Sequence, residues 1–264
     1  MRDVKIVVAT HKNYEMPQDE MYLPLEVGAA CRAQHTKYQK DDIGENISAK
    51  NPGFSELTGL YWAWKNLDNE YIGLVHYRRY FAKNRVSGSP EQRLKGVLTL
   101  SQASEVLNDT DIILPSLRKY YIENLYDHYA HTMYVEPLDI AGEIIHEQFP
   151  KYHKEFMDLH KRKSAHMFNM MIMKKEVLND YCEWLFTILF ELEKRVSKKG
   201  LEYDDFHGRF YGRVSELLLD VYIRTNGLKY KEVKAVSIEP VNWVKKGGSF
   251  VKAKVTGKKY EKSF

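Results

Sequence analysis

Apolar residues recur along this chain at two spacings. Val4–Ala9 (VKIVVA) is an unbroken β-branched run, the pattern of a strand buried on both faces, and it ends in polar Thr10-His11-Lys12. Tyr71–Val75 (YIGLV) is a second short apolar strand, followed without a turn signal by His76-Tyr77-Arg78-Arg79-Tyr80. Asp111–Leu114 (DIIL), closed by Pro115, and His166–Met173 (HMFNMMIM) read as two more strands. Helical spacing appears over Ser55–Asn66, with Leu57, Leu60, Tyr61 and Trp64 on one face. It is clearest over Glu176–Arg195, where Leu178, Tyr181, Leu185, Ile188 and Leu192 recur, and it returns over Val214–Ile223. Thr99–Leu107 and Asp139–Phe149 are predicted helices, the second stopped near Pro150. Residues 13–53 read as loop-rich, and 83–95 as a mobile loop around Gly88, Ser89 and Pro90. No internal repeat is present.

Strands alternating with helices predict an α/β sandwich on a mostly parallel sheet. In such sheets ligands gather beyond the carboxyl ends of strands. Thr10-His11-Lys12 and His76–Arg79 both follow predicted strands, so they are expected to share one cleft.

Composition narrows the class. The 264 residues suffice for one large α/β domain or two small ones, and 44% hydrophobic with 29% charged residues is ordinary for a soluble globular protein. A net charge of +4 does not imply nucleic acid, and the lysines are not interleaved with a nucleic-acid fold motif. From Lys245 to Phe264 the chain carries seven lysines and one acid, Glu261, a tail that could touch anionic lipid. The apolar run of the first residues is too short for a signal peptide, and no window approaches 18 apolar residues. Cys31 and Cys182 lack metal-type spacing and fit free thiols in a reducing compartment. A cytoplasmic location is expected.

No P-loop, dinucleotide glycine pattern, zinc cluster or G-x-S-x-G elbow is present. The double arginine is the sharpest local signal. Guanidinium forks bind phosphate oxygens in bidentate fashion, and Arg78-Arg79, with His76 and Lys65 nearby in sequence, suit a diphosphate; the alternative is that they pair with buried acids and hold the fold together. The polar stretch Asp41–Asn51 (DDIGENISAKN) is either a ligand-gripping loop or a solvated turn. Glu56 and Glu216 each stand near the start of an apolar helix, where negative charge is stabilising, and spacing alone favours that structural role. Glu216 also follows the arginine-rich GRFYGRVS, so it could equally serve as a general base. Tyr126, His128, Tyr129 and His131 form an aromatic and imidazole cluster suited to sugar rings; no carboxylate at fixed spacing completes a metal site.

The ordered segments DDIGENISAKN, SELTGLYWAWKN, YIGLVHYRRYF, DIILP, FNMMIMKKEVLNDYCEWLF and GRFYGRVSELLLDVYI resemble a bacterial domain family of capsular polysaccharide biosynthesis clusters, over roughly residues 3–230. The resemblance implies a glycosyltransferase with a GT-A-like, Rossmann-type fold: a nucleotide-sugar half over about 1–115 and an acceptor half over about 116–240; the basic tail 245–264 follows. It implies transfer to a lipid-linked capsule or surface-polysaccharide unit at the inner membrane face; some relatives are associated with galactofuranose from its UDP donor. The basic tail is not covered by the resemblance, and its lysines alone suggest a peripheral membrane contact. Most GT-A enzymes hold a divalent metal with Asp-x-Asp at the end of a mid-domain strand. Here that strand, Tyr71–Val75, is followed by His-Tyr-Arg-Arg. Arginine can neutralise a departing diphosphate, so a metal (Mn or Mg) is not expected; Asp41-Asp42 and Asp204-Asp205 are the nearest acid pairs.

The expectation is therefore a donor site of Thr10, His11, Lys12, Asp42, Asn46, Ser48, Lys65, His76, Arg78 and Arg79. An acceptor pocket of Tyr126, His128, Asn169 and Arg213 faces it, and the resemblance raises Glu216 to catalytic base of an inverting hexosyl transfer. The alternative is a non-catalytic carbohydrate- or nucleotide-binding module of a polysaccharide assembly complex.

Overall fold

A computed structural model describes residues 1–239. The basic tail lies outside the described residues. The strands are β1 (Val4–Thr10), β2 (Tyr22–Glu26), β3 (Gln39–Lys40), β4 (Tyr71–His76), β5 (Arg79–Ala82), β6 (Ile112–Pro115), β7 (Arg118–Lys119), β8 (Ser164–Ala165), β9 (Met171–Lys174) and β10 (Lys231–Ser237). The helices are α1 (Asn51–Phe54), α2 (Leu57–Asn66), α3 (Pro90–Lys95), α4 (Leu100–Leu107), α5 (Leu125–Thr132), α6 (Glu136–Gln148), α7 (Pro150–His160), α8 (Lys175–Lys198) and α9 (Phe210–Thr225).

β1 sits inside the main sheet, parallel to β2 on one side and β4 on the other. β3 extends the β2 edge in parallel. Beyond β4 the sheet is mixed: β9 runs antiparallel to both β4 and β6, β10 parallel to β6 and antiparallel to β5. β5 closes back on β4 through the single pair His76↔Arg79. The expected mostly parallel sheet is thus corrected; β9 lies directly between two parallel strands and reverses the direction. Gly73 permits this approach, because a Cβ there would stand 2.8 Å from the Met171 carbonyl oxygen.

Alternation along the strands feeds two cores. Val7, Ala9, Ile72 and Leu74 face the larger one, with α2, α6, α7, α8 and α9. Ile6, Val8, Tyr71 and Val75 face the smaller, with Tyr80, Phe81, Ala103 and Leu107. The five apolar positions singled out on α8 are all fully buried there, each contributing roughly 1.5–3 kcal/mol.

Several boundaries move. The segment 83–95 read as a loop contains α3, which starts with a capping box between Ser89 and Gln92. α7 follows α6 after a break at Phe149, with Pro150 as its first residue. The strand expected over His166–Met173 shortens to β9 because Phe168 and Asn169 take left-handed backbone, φ 79° and 50°. α9 begins four residues before Val214, which puts Glu216 in its second turn rather than at its start.

Candidate functional site

The carboxyl ends of β1 and β4 bring His11 and Lys12 beside the β4–β5 turn. His11 feels Arg32, Lys12, Arg78 and Arg209. Burial, reinforced by these four cations, pulls its pKa down to about 4, so the ring is neutral at neutral pH. His11 also meets Tyr77 edge-on at 5.3 Å, and Tyr14 lies against the same ring at 4.5 Å.

The two adjacent arginines part company. Arg78 spreads over Tyr77, 5.0 Å from the ring centre, and pairs with Glu239 at 3.4 Å. Both partners are about half exposed, and such a pair is worth roughly 0–1 kcal/mol, so an arriving anion can displace it. Arg79 turns the other way, 4.2 Å over the Phe168 ring. Burial lowers its pKa; Glu216 and Glu56 oppose this, while Arg118 and Arg213 add to it. Together the two groups form a cluster, the basic cleft, in which basic side chains outnumber carboxylates.

The inner wall is the Phe168–Asn169 turn. His76 Nε2 donates to the Phe168 carbonyl at 2.6 Å. Asn169 Nδ2 donates to Glu56 Oε1 at 2.7 Å and to the Gly212 carbonyl at 3.0 Å. Its Oδ1 is buried with no hydrogen-bond partner among the described residues. Arg118 reaches the same wall, 5.7 Å from the Phe168 ring centre and 5.0 Å from that of Tyr120. Burial pushes the Tyr120 phenol up to about 12. From α9, Arg213 Nη1 donates to Glu216 Oε2 at 3.4 Å; Arg213 is partly exposed and Glu216 buried. Glu123, also buried, accepts from His128 Nδ1 and His131 Nδ1, each at 2.8 Å, and His128 packs on Tyr120 at 4.2 Å between ring centres. The arrangement can hold a polyanion at its basic mouth and present a buried carboxylate to a hydroxyl beside it.

The sequence-predicted residues divide. His11, Lys12, Arg78, Arg79, His128, Asn169, Arg213 and Glu216 meet here, while His76 supports the Phe168 turn. Thr10 is fully buried, and its hydroxyl closes a turn on the Lys12 carbonyl at 2.8 Å. Ser48 is fully buried too, donating to Asp41 at 2.5 Å. The polar loop lies along α2, not over the cleft: Asp41 accepts from Thr58, the Ile43 carbonyl from Trp62, and Asn66 Oδ1 from the Glu45 amide. Asn46 binds its own loop at Gly44 and Ser48, and Asp42 is exposed on it. Lys65, at the far end of α2 from Glu56, pairs with Glu45 and covers Trp64 at 3.8 Å. Tyr126 is on the other side of α5, bonded to Asp139. Asp204 caps His207, whose proton holds it at about 2. Among the described residues no group of three or more His, Cys, Asp or Glu could hold a metal ion. Sequence reasoning missed Glu56, Arg32, Arg118, Tyr120 and Phe168 as residues of this cluster. Only Asn169, a residue that tolerates left-handed backbone just before a strand, carried a local signal for the turn.

The model of a family described as a domain of unknown function (DUF4422) matches residues 5–227. No curated protein matches the chain. A solved structure of WbbM, a bifunctional glycosyltransferase in its apo form, superposes with a TM-score of 0.81 at 28% identity, covering 90% of this chain. The chain spans 46% of that protein's length.

Proposed function

The chain belongs to the DUF4422 family, and from that premise we propose that it is an inverting glycosyltransferase. It moves a sugar from a UDP-linked donor, galactofuranose being the sugar the sequence resemblance implies, to a lipid-linked surface-polysaccharide acceptor on the cytoplasmic side. The similarity to a glycosyltransferase of known structure supports the reaction class, and one observation carries the site: a basic cleft beside the buried, arginine-paired Glu216.

Arg78, Lys12, Arg32 and Arg209 hold the diphosphate, with His11 and Tyr77 against the nucleotide. Arg79 faces the bond that breaks. The acceptor lies against Asn169, His128 and Arg213. Its hydroxyl oxygen attacks the anomeric carbon as the bond from that carbon to the UDP oxygen opens. Glu216 takes the hydroxyl proton, and the charge left on UDP falls to the arginines, as preorganised cations stabilise charge that develops in a transition state.

The experiment is titration with UDP and a screen of UDP-sugars for slow hydrolysis or transfer. UDP binding with turnover that persists in EDTA is expected. Affinity without turnover would leave a binding module, and activity abolished by EDTA and restored by Mn²⁺ or Mg²⁺ would remove the arginine-for-metal role.

A further inference from the structure

A second groove, of about 620 Å³, runs between α5, α6 and α7, with Tyr126 and His160 on its walls. It is separate from the basic cleft. Tyr126 and His128, two apart on α5, point to opposite sides of that helix, and His128 faces the cleft. The two spaces are therefore about one helix diameter apart, on the order of 10 Å.

Its walls are unusual for a helical hairpin. Asp139, Glu143 and His146 form an i, i+4, i+7 stripe on α6, and His153, Met157 and His160 form a matching stripe on α7. The buried residues Ile140, Ile144, Ile145 and Leu159 already supply the apolar contact of these helices. The second stripe adds polar rings to that contact, His153 meeting His146 at 4.6 Å between ring centres. Phe156 makes the floor; Gly142 allows it, since a Cβ there would stand 2.8 Å from the ring. His160 lies 4.9 Å from Tyr126 and 4.5 Å from Phe156, centre to centre, giving a continuous row of rings. Burial takes the pKa of His160 down to about 4, so it is neutral, and its Nε2 is buried without a partner among the described residues.

The chemistry selects an occupant. Two carboxylates stand against one ammonium, Lys161, so the groove rejects the diphosphate that the basic cleft attracts. Flat rings with carboxylate acceptors and imidazole and phenol groups around them fit a neutral molecule that has apolar ring faces and many hydroxyls. We propose that this groove is a glycan subsite, holding the already assembled sugars of the acceptor while its growing end reaches the basic cleft past α5. The proposal rests on the transferase reading for its role in catalysis, but not for binding itself.

The test uses the whole chain and tetra- to hexasaccharides released by mild hydrolysis of the source cell's own surface glycan. Imidazole resonances of His146, His153 and His160 should move on titration with these oligosaccharides and stay still with UDP. Tyr126→Ala should weaken oligosaccharide affinity about tenfold with UDP affinity unchanged. Glu143→Ala, at an exposed position that leaves packing intact, should raise KM for oligosaccharide acceptors several-fold, at constant kcat and with no change for a single-sugar acceptor. Unmoved groove histidines, or wild-type oligosaccharide affinity in both variants, would overturn the subsite. Loss of UDP binding or turnover in the wild type would instead overturn the transferase reading, and the groove resonances would still decide the subsite.

Discussion

Two buried polar clusters flank α2 and differ in kind. At the first, Asp41 accepts from the amides of Gly28 and Ala29 and from the hydroxyls of Ser48 and Thr58, all within 2.5–3.0 Å. Every donor has an acceptor and the carboxylate is fully enclosed. At the second, Phe168 and Asn169 hold left-handed backbone, a conformation that costs a non-glycine residue on the order of 1–3 kcal/mol. Asn169 there keeps an unpartnered oxygen, and Arg79 and Arg118 crowd one ring. The first cluster builds the fold. The second is held in place by the fold at a cost, which is where chemistry on a substrate is expected.

Substitutions can break this contrast. The largest effect is expected at Glu216→Gln, which should lower kcat about 10²–10⁴-fold with melting temperature and UDP affinity kept; near-normal kcat in a folded protein moves the base to Glu56, which shares Arg79 and Arg213 as neighbours. Asp41→Ala should do the reverse. It strands two amides and two hydroxyls, so denaturant melts should show a loss of roughly 3 kcal/mol or more, while the folded fraction binds UDP normally. Arg78→Ala and Arg79→Ala should each cost UDP roughly 1.5–3 kcal/mol by calorimetry, with Arg79→Ala alone also lowering kcat because it faces Glu216. A last effect concerns pH, and it vanishes at neutral pH. His11 binds its proton near 4 in the folded chain and near 6.5 when unfolded, so its contribution to stability is complete above 6.5 and is lost as pH falls toward about 4. His11→Gln should flatten that part of the stability profile. UDP, bringing negative charge, should raise the His11 titration seen by NMR.

The contrast also explains what could be read in advance. Val4–Ala9 and Tyr71–Val75 were legible as unbroken apolar runs buried on both faces, and the α8 stripe as a single buried face at helical spacing. Arg79, Arg213 and Glu216 stood out because charge so close to apolar runs needs a reason, and the structure brings the three together. The loop 41–51 stayed open between a ligand grip and a turn because hydrogen-bonding density does not say whether it faces a ligand or the chain's own amides; the structure turns Asp41 and Ser48 onto the chain itself. Thr10 shows the same ambiguity, its hydroxyl turned to the chain's own Lys12 carbonyl. Glu56 was hidden because at a helix start it looks like an ordinary dipole partner, and only the docking of α9 and the Asn169 turn places it in the cleft. β10 was missed because KEVKAVS buries only Val233 and Val236 fully, too few positions to set a period.

β5 carries Arg79, and its antiparallel partner is β10, most of the chain later, with Ser237 opposite Arg79. While the chain is being made, β5 therefore waits as an open edge, and long-range pairings of this sort form late. α9, which supplies Arg213 and Glu216, also arrives only near the end of the described chain. A nascent protein thus has most of its core before it has a working cleft. The early arginines Arg78 and Arg79 therefore meet Arg213 and Glu216 only when β10 and α9 dock, so the cluster is assembled in one late step of folding.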